Sequence, residues 1–194
     1  MKKLLITGFD PFGGADINPA WEAVRLLPAQ VGQFTLYKLQ IPTIFGRAAA
    51  LTAEAAERLR PDVILCVGQA GGRAAVTPER IAVNIRDARI ADNAGNQPRG
   101  EFVEVNGPAA YFSTVNVTAM AQAAAQAGFP ATVSNSAGAF VCNDVLYSLL
   151  HRFAGTETKV GFIHVPWLPG QGEPSLELEK TAAALEKMIE VCLP

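Results

Sequence analysis

Three short runs, KLLIT at 3–7, VILCVG at 63–68 and VGFIHV at 160–165, are apolar at almost every position. A strand with one wet face alternates apolar and polar residues; a run without alternation has both faces covered. Between these runs lie segments with helical spacing, at 19–27, 45–59, 118–127, 141–153 and 176–192. The alternating stretch QFTLYKLQI at 33–41 predicts a strand with one wetter face, and 80–85 and ATVSN at 131–135 predict two more. Buried strands alternating with helices imply an α/β fold. The expected form is a single-domain, three-layer α/β/α sandwich over residues 1–194, with a mostly parallel, twisted central sheet.

Composition supports a packed core. Hydrophobic residues make up 49% of the chain and charged residues only 18%, which excludes a disordered chain. The net charge of −2 offers no basic face, so no nucleic-acid partner is expected. No apolar run approaches the roughly 20 residues of a membrane span. The apolar stretch after Met1-Lys2-Lys3 stops at Asp10, too short for a secretion signal, so a cytoplasmic location is expected.

In parallel sheets the working residues collect beyond the carboxyl ends of the strands. There the chain offers Phe9 and Phe12, Gln69, Cys142 and His164. The three cysteines contain no C-x-x-C, which argues against a metal site or a redox pair, and no cofactor is implied. Cys142 lies in SAGAFVCN, a small glycine-containing turn entering a helix. Free N–H groups and the positive dipole end at such a place are expected to lower a thiol pKa and to hold an oxyanion. Cys66, in mid-strand, and Cys192, on an apolar helical stripe, read as packing. His151, late in a helix, reads as structural. His164 ends a strand beside Pro166, where a base can face a cleft. A thiol nucleophile needs such a base and a third group to orient it. Glu79 is the candidate, with a surface pair to Arg80 as the alternative and Asp10, Asp87 and Asp92 as rivals. GFDPFGG and GQAGGR fit no phosphate-loop pattern, and the two phenylalanines suit a flat, uncharged group better than an anion.

Six motifs in one order carry a resemblance. They are GFDPFGG at 8–14 with Asn18-Pro19, GQAGGR at 68–73, TPERIAVNI at 77–85, DARIADNAGNQP at 87–98, SNSAGAFVCN at 134–143 and GFIHVPWLP at 161–169. On these the chain resembles the pyrrolidone-carboxylate peptidases, cysteine peptidases that remove N-terminal pyroglutamate. The resemblance implies a triad of Cys142, His164 and Glu79. It also implies a substrate pocket from Phe9, Phe12, Asn18, Gln69, Phe140 and Val141, with Arg89 near the oxyanion site and Ile90 beside it. It implies peptides or proteins with N-terminal pyroglutamate as partners, and a homodimer or homotetramer. Trp167 stands where many members have tyrosine, and Gly170-Gln171 also departs from the pattern.

Pyroglutamate carries no ammonium, so its site needs apolar walls and a few hydrogen-bond partners, and it should reject plain proline. Two other readings stay open at this stage. One is a phosphorylase-like enzyme that requires phosphate. The other is a degenerate homologue that binds pyroglutamyl termini without cleaving them.

Overall fold

The computed structural model describes residues 1–193; Pro194, the last residue of the expected domain, lies outside the described residues. Elements are numbered in chain order. Four strands form a parallel array: β1 (Lys2–Phe9), β3 (Phe34–Ile41), β4 (Val63–Gln69) and β10 (Lys159–Val165). The edges are antiparallel additions, β2 (Gln30–Val31) on β3 and β5 (Thr77–Pro78) on β10, in the order β2-β3-β1-β4-β10-β5.

Strand geometry sends alternate side chains to opposite faces. On β4, Val63, Leu65 and Val67 enter one core, while Ile64 and Cys66 enter the other. The first core is closed by α1 (Pro19–Leu26), α3 (Val117–Gln126) and α5 (Leu178–Glu190). The second is closed by α2 (Arg47–Leu59) and α4 (Val141–Arg152). Each buried Leu, Ile or Val adds about 1.5–3 kcal/mol relative to exposure, and both faces of every central strand take part. That double burial is why the three runs show no alternation. The result is the expected three-layer α/β sandwich.

Local signals end the helices where the sequence indicates. Asn18 caps α1, its Oδ1 accepting from the Ala20 N–H at 3.0 Å. Arg60 takes a left-handed φ of 50° after α2, and Pro61 bars any continuation. No helix among the described residues is long and apolar enough to cross a membrane.

Two expected strands differ. Residues 131–135 form no strand; Ala131 and Ser134 make only isolated bridges, to Val76 and Glu79. The run at 80–85 yields β6 (Ile81–Val83), which pairs with β9 (Ala110–Phe112) off the main sheet. In the irregular region that follows, β7 (Arg86–Asp87) pairs with β8 (Arg99–Glu101). There the Asp92 carboxylate accepts from the N–H groups of Phe45, Ala94 and Asn96.

Candidate active site

On β10, Ile163 and Val165 face the first core, so Phe162 and His164 face the second, beneath α4. Strand β5 lies along β10 with Thr77 opposite His164, and the Glu79 N–H donates to the Phe162 carbonyl at 2.9 Å. This pairing carries the Glu79 side chain under the imidazole. His164 Nδ1 lies 2.7 Å from Glu79 Oε1. A carboxylate can only accept, so Nδ1 carries the proton and Nε2 is left as the free acceptor.

Cys142 is the second residue of α4. The turn before it needs Gly138 at a φ of 77°, and Phe140 occupies the cap position without a side-chain cap bond. With no side-chain cap bond, the first-turn N–H groups of α4 stay available beside the thiol. The thiol reaches down to β4 because residue 68 is glycine. A Cβ there would stand 2.9 Å from Cys142 Sγ and 2.7 Å from Phe162 Cζ. Gly68 pairs in register with His164, so the sulfur lies over the strand position beside the imidazole.

The charges differ from the expectation for a helix-start thiol. Burial pushes the Cys142 thiol up to about 12, and the Glu79 charge adds to this; Arg73 and the N–H of Cys142 work the other way without prevailing. Burial also lowers His164 below its ordinary value, Arg73 reinforces this, and Glu79 opposes it. For Glu79 burial favours the acid form, yet hydrogen bonding from His164, Ser134 and Arg73 holds it below the usual carboxylate range. The Ser134 hydroxyl donates to the Ser136 carbonyl at 3.2 Å, which leaves Arg73 and His164 as the donors to Glu79. In the unliganded site burial thus favours the uncharged forms of the thiol and the imidazole, while Glu79 is held toward its carboxylate form.

A cavity of about 270 Å³ opens over this group, lined by Cys142, His164, Phe9, Phe12, Phe140 and Gln69 among others. Phe9 is the last residue of β1 rather than part of the loop after it. Phe12 and Phe140 lie 6.2 Å apart, and Phe45 meets Phe140 edge-on at 5.2 Å. A second cavity of about 410 Å³ shares Phe12, Gln69, Gly71 and Phe140, and continues over Arg89, Ile90, Asp87 and Trp167. Arg89 and Ile90 thus line the outer cavity, not the one holding the thiol. Asn18 borders the inner cavity, its amide donating one N–H to the Asp10 carbonyl and capping α1 through its oxygen. Val141 lies deeper than the other pocket candidates. Its side chain is fully buried in the second core and lines neither cavity, because position 141 of α4 points at the sheet.

The rivals are placed elsewhere. Asp10 accepts from the Thr43 N–H and from Asn93, and Asp92 is engaged as described. His151 Nδ1 meets the Tyr111 hydroxyl at 2.8 Å. Cys66 and Cys192 are fully buried.

Three residues at the site have no counterpart in the sequence reading. Asn143 and Asp144, fully buried directly after Cys142, tie α4 to the segment before Asp87. Asn143 accepts from the Val83 N–H and donates to the Val83 and Ile85 carbonyls. Asp144 takes Arg86 at 2.6 Å and the Gly46 N–H at 2.8 Å. The third, Arg73, pairs with Glu79, where the alternative reading had Arg80. A polar pair just inside a helix start was the only signal for the first two. A thiol beside an oriented base, under free N–H groups, is an arrangement suited to acyl transfer.

A family profile described as pyroglutamyl peptidase matches residues 2–193. A pyrrolidone-carboxylate peptidase of Levilactobacillus brevis is 52% identical over 96% of this chain and 95% of its own. One from Bacillus thuringiensis is 46% identical over 98% of this chain and 93% of its own. A crystal structure of pyroglutamyl peptidase I from Bacillus amyloliquefaciens superposes with a TM-score of 0.95 at 43% identity, covering 99% of this chain and 97% of that one. Pyrrolidone carboxyl peptidase from Thermococcus litoralis superposes at 0.93 with 38% identity, covering 99% and 93%.

Proposed function

The chain belongs to the pyroglutamyl peptidase family, a family of cysteine peptidases, and we propose that it releases N-terminal pyroglutamate through Cys142, His164 and Glu79 by way of an acyl-enzyme. The observation that carries this reading is the 2.7 Å contact of His164 with Glu79 at the wall of the cavity that Cys142 also lines.

The lactam ring enters the inner cavity between Phe9, Phe12 and Phe140, where an uncharged ring loses little solvation. Gln69, at the end of β4, can meet the lactam amide. With the scissile carbonyl over Cys142, His164 Nε2 takes the thiol proton as sulfur bonds to carbon. The raised thiol and lowered imidazole favour this transfer accompanying the attack. The N–H groups at the start of α4 receive the negative charge that develops on oxygen. Glu79 stabilises the imidazolium for the interval in which it exists. His164 then returns the proton to the leaving amine, and the pair repeats the sequence with water to free pyroglutamate.

The test is release of a reporter amine from a pyroglutamyl amide, with and without iodoacetamide. Turnover that iodoacetamide abolishes and phosphate does not affect supports this reading. Binding without turnover would leave the degenerate-homologue reading, and a phosphate requirement would leave the phosphorylase-like one.

A further inference from the structure

We propose that Arg73 is a positioning residue of the triad: it shares Glu79 Oε1 with His164, keeping the imidazole free to accept a proton, and locks this pair to the turn that carries Cys142. This rests on the reading of Cys142, His164 and Glu79 as the working group.

Three contacts of one guanidinium make the case. Nη1 donates to Glu79 Oε1 at 2.6 Å and to Thr77 Oγ1 at 2.7 Å, and Nη2 donates to the Ser136 carbonyl at 2.9 Å. Thr77 is the strand partner of His164, and Ser136 lies in the SNSAGAF turn that enters α4. One planar fork therefore joins the arm that orients the base to the arm that carries the thiol. Lysine cannot copy this geometry, because a single ammonium lacks the spread of the fork.

The second oxygen of Glu79 has no hydrogen-bond partner among the described residues. Both donors converge on Oε1, and Glu79 is fully buried. A buried carboxylate facing only a histidine would draw a proton onto the ring and hold it as imidazolium, which cannot act as a base. Arg73 supplies a permanent cation in that position, so Glu79 remains ionised without protonating its partner. The other titratable or charged groups facing this site are Cys142, from α4, and Cys66, on β4. Arg73 also borders the inner cavity, so its charge reaches the thiol.

The experiment compares Arg73→Gln and Arg73→Lys with the parent by pH profile and by alkylation of Cys142. For Arg73→Gln the ascending limb of kcat/KM should move alkaline by about one pH unit. Activity should fall roughly tenfold at pH well below both limbs, by no more than about threefold at neutral pH, and return at alkaline pH, with KM within about twofold. Iodoacetamide should label Cys142 more slowly at neutral pH. Arg73→Lys should keep the limb near its parental place while lowering kcat, since charge remains but the fork is lost. An unmoved limb in Arg73→Gln, equal displacement in both variants, or a folded Arg73→Gln equally weak at every pH would overturn the proposal. If Arg73→Gln does not fold, Arg73→Lys decides alone: a parental limb with reduced kcat supports the proposal, and a displaced limb overturns it. Alkylation needs no substrate, so failure of the triad reading shows separately, as a Cys142→Ala protein that still turns over.

Discussion

Gly68 makes the room that the Cys142 sulfur fills: a Cβ on residue 68 would stand 2.9 Å from Sγ, and Gly68 is the in-register neighbour of His164. One missing side chain on β4 thus lets a helix-borne thiol and a strand-borne imidazole face the same cavity.

Gly68→Ala should therefore separate activity from stability. The added methyl must displace both the sulfur and the Phe162 ring. Overpacking of this kind costs about 1–3 kcal/mol, and a 1 Å shift of a reacting group costs on the order of 10²-fold in rate. Urea unfolding together with kcat checks both. A variant with parental kcat would show that the thiol does not work from this position.

His164→Ala should lose roughly 10³-fold or more in kcat, because members of one catalytic unit act together. Glu79→Gln should lose less, since it orients and stabilises rather than reacts. His151→Ala should retain most activity. Steady-state rates on a pyroglutamyl amide give the order; a larger loss at His151 than at His164 would contradict the assignment.

Much of the fold is legible because its strands are buried on both faces, and KLLIT, VILCVG and VGFIHV can form nothing else of that length. ATVSN suits a strand through its Val and Thr and does run beside β5, with four backbone hydrogen bonds joining 130–134 to 76–80, but the pairing stays irregular and closes only isolated bridges at Ala131 and Ser134. Glu79 is legible as a carboxylate near a strand end, but its partner Arg73 depends on how the turn at 70–76 folds back, which spacing cannot express. Asn143 and Asp144 look like surface positions of a helix. They are buried because their partners, Val83, Ile85, Arg86 and Gly46, arrive from distant segments. The glycine- and asparagine-rich stretch near 92–96 carries no periodicity, and its order comes from the Asp92 carboxylate together with the bonds of Asn93 to Asp10, Pro11 and Thr43.

Stability should peak between roughly pH 6.5 and 8.5, set by the ordinary histidine and thiol values. His164 is lowered in the folded protein, so the unfolded chain takes up its proton first and stability falls as pH drops below about 6.5. Glu79, also lowered, adds a further fall in the acid range as the folded carboxylate protonates. On the alkaline side Cys66, Cys142 and Cys192 are each pushed up to about 12, first of all by burial. The unfolded thiols lose their protons first, so stability falls above about pH 8.5. Urea midpoints across pH check both limbs, and Cys192→Ala should make the alkaline fall shallower. A flat alkaline limb would contradict the burial of these thiols.

Trp167 should govern the residue that follows pyroglutamate. Its indole is packed so closely against Gly71 and Gly172 that a Cβ on either would overlap it, and it walls the outer cavity beyond the thiol. Trp167→Ala should raise KM for peptides with a bulky second residue and leave a small amide leaving group nearly unaffected. Equal effects on both substrates would place Trp167 outside substrate recognition.

The most direct test of the account is to quench the enzyme during turnover of a pyroglutamyl substrate and map the modified residue by mass spectrometry. The account predicts one pyroglutamyl group in thioester linkage on Cys142, absent from Cys142→Ala, which also releases no product. A label on another residue, or turnover by Cys142→Ala, would contradict it.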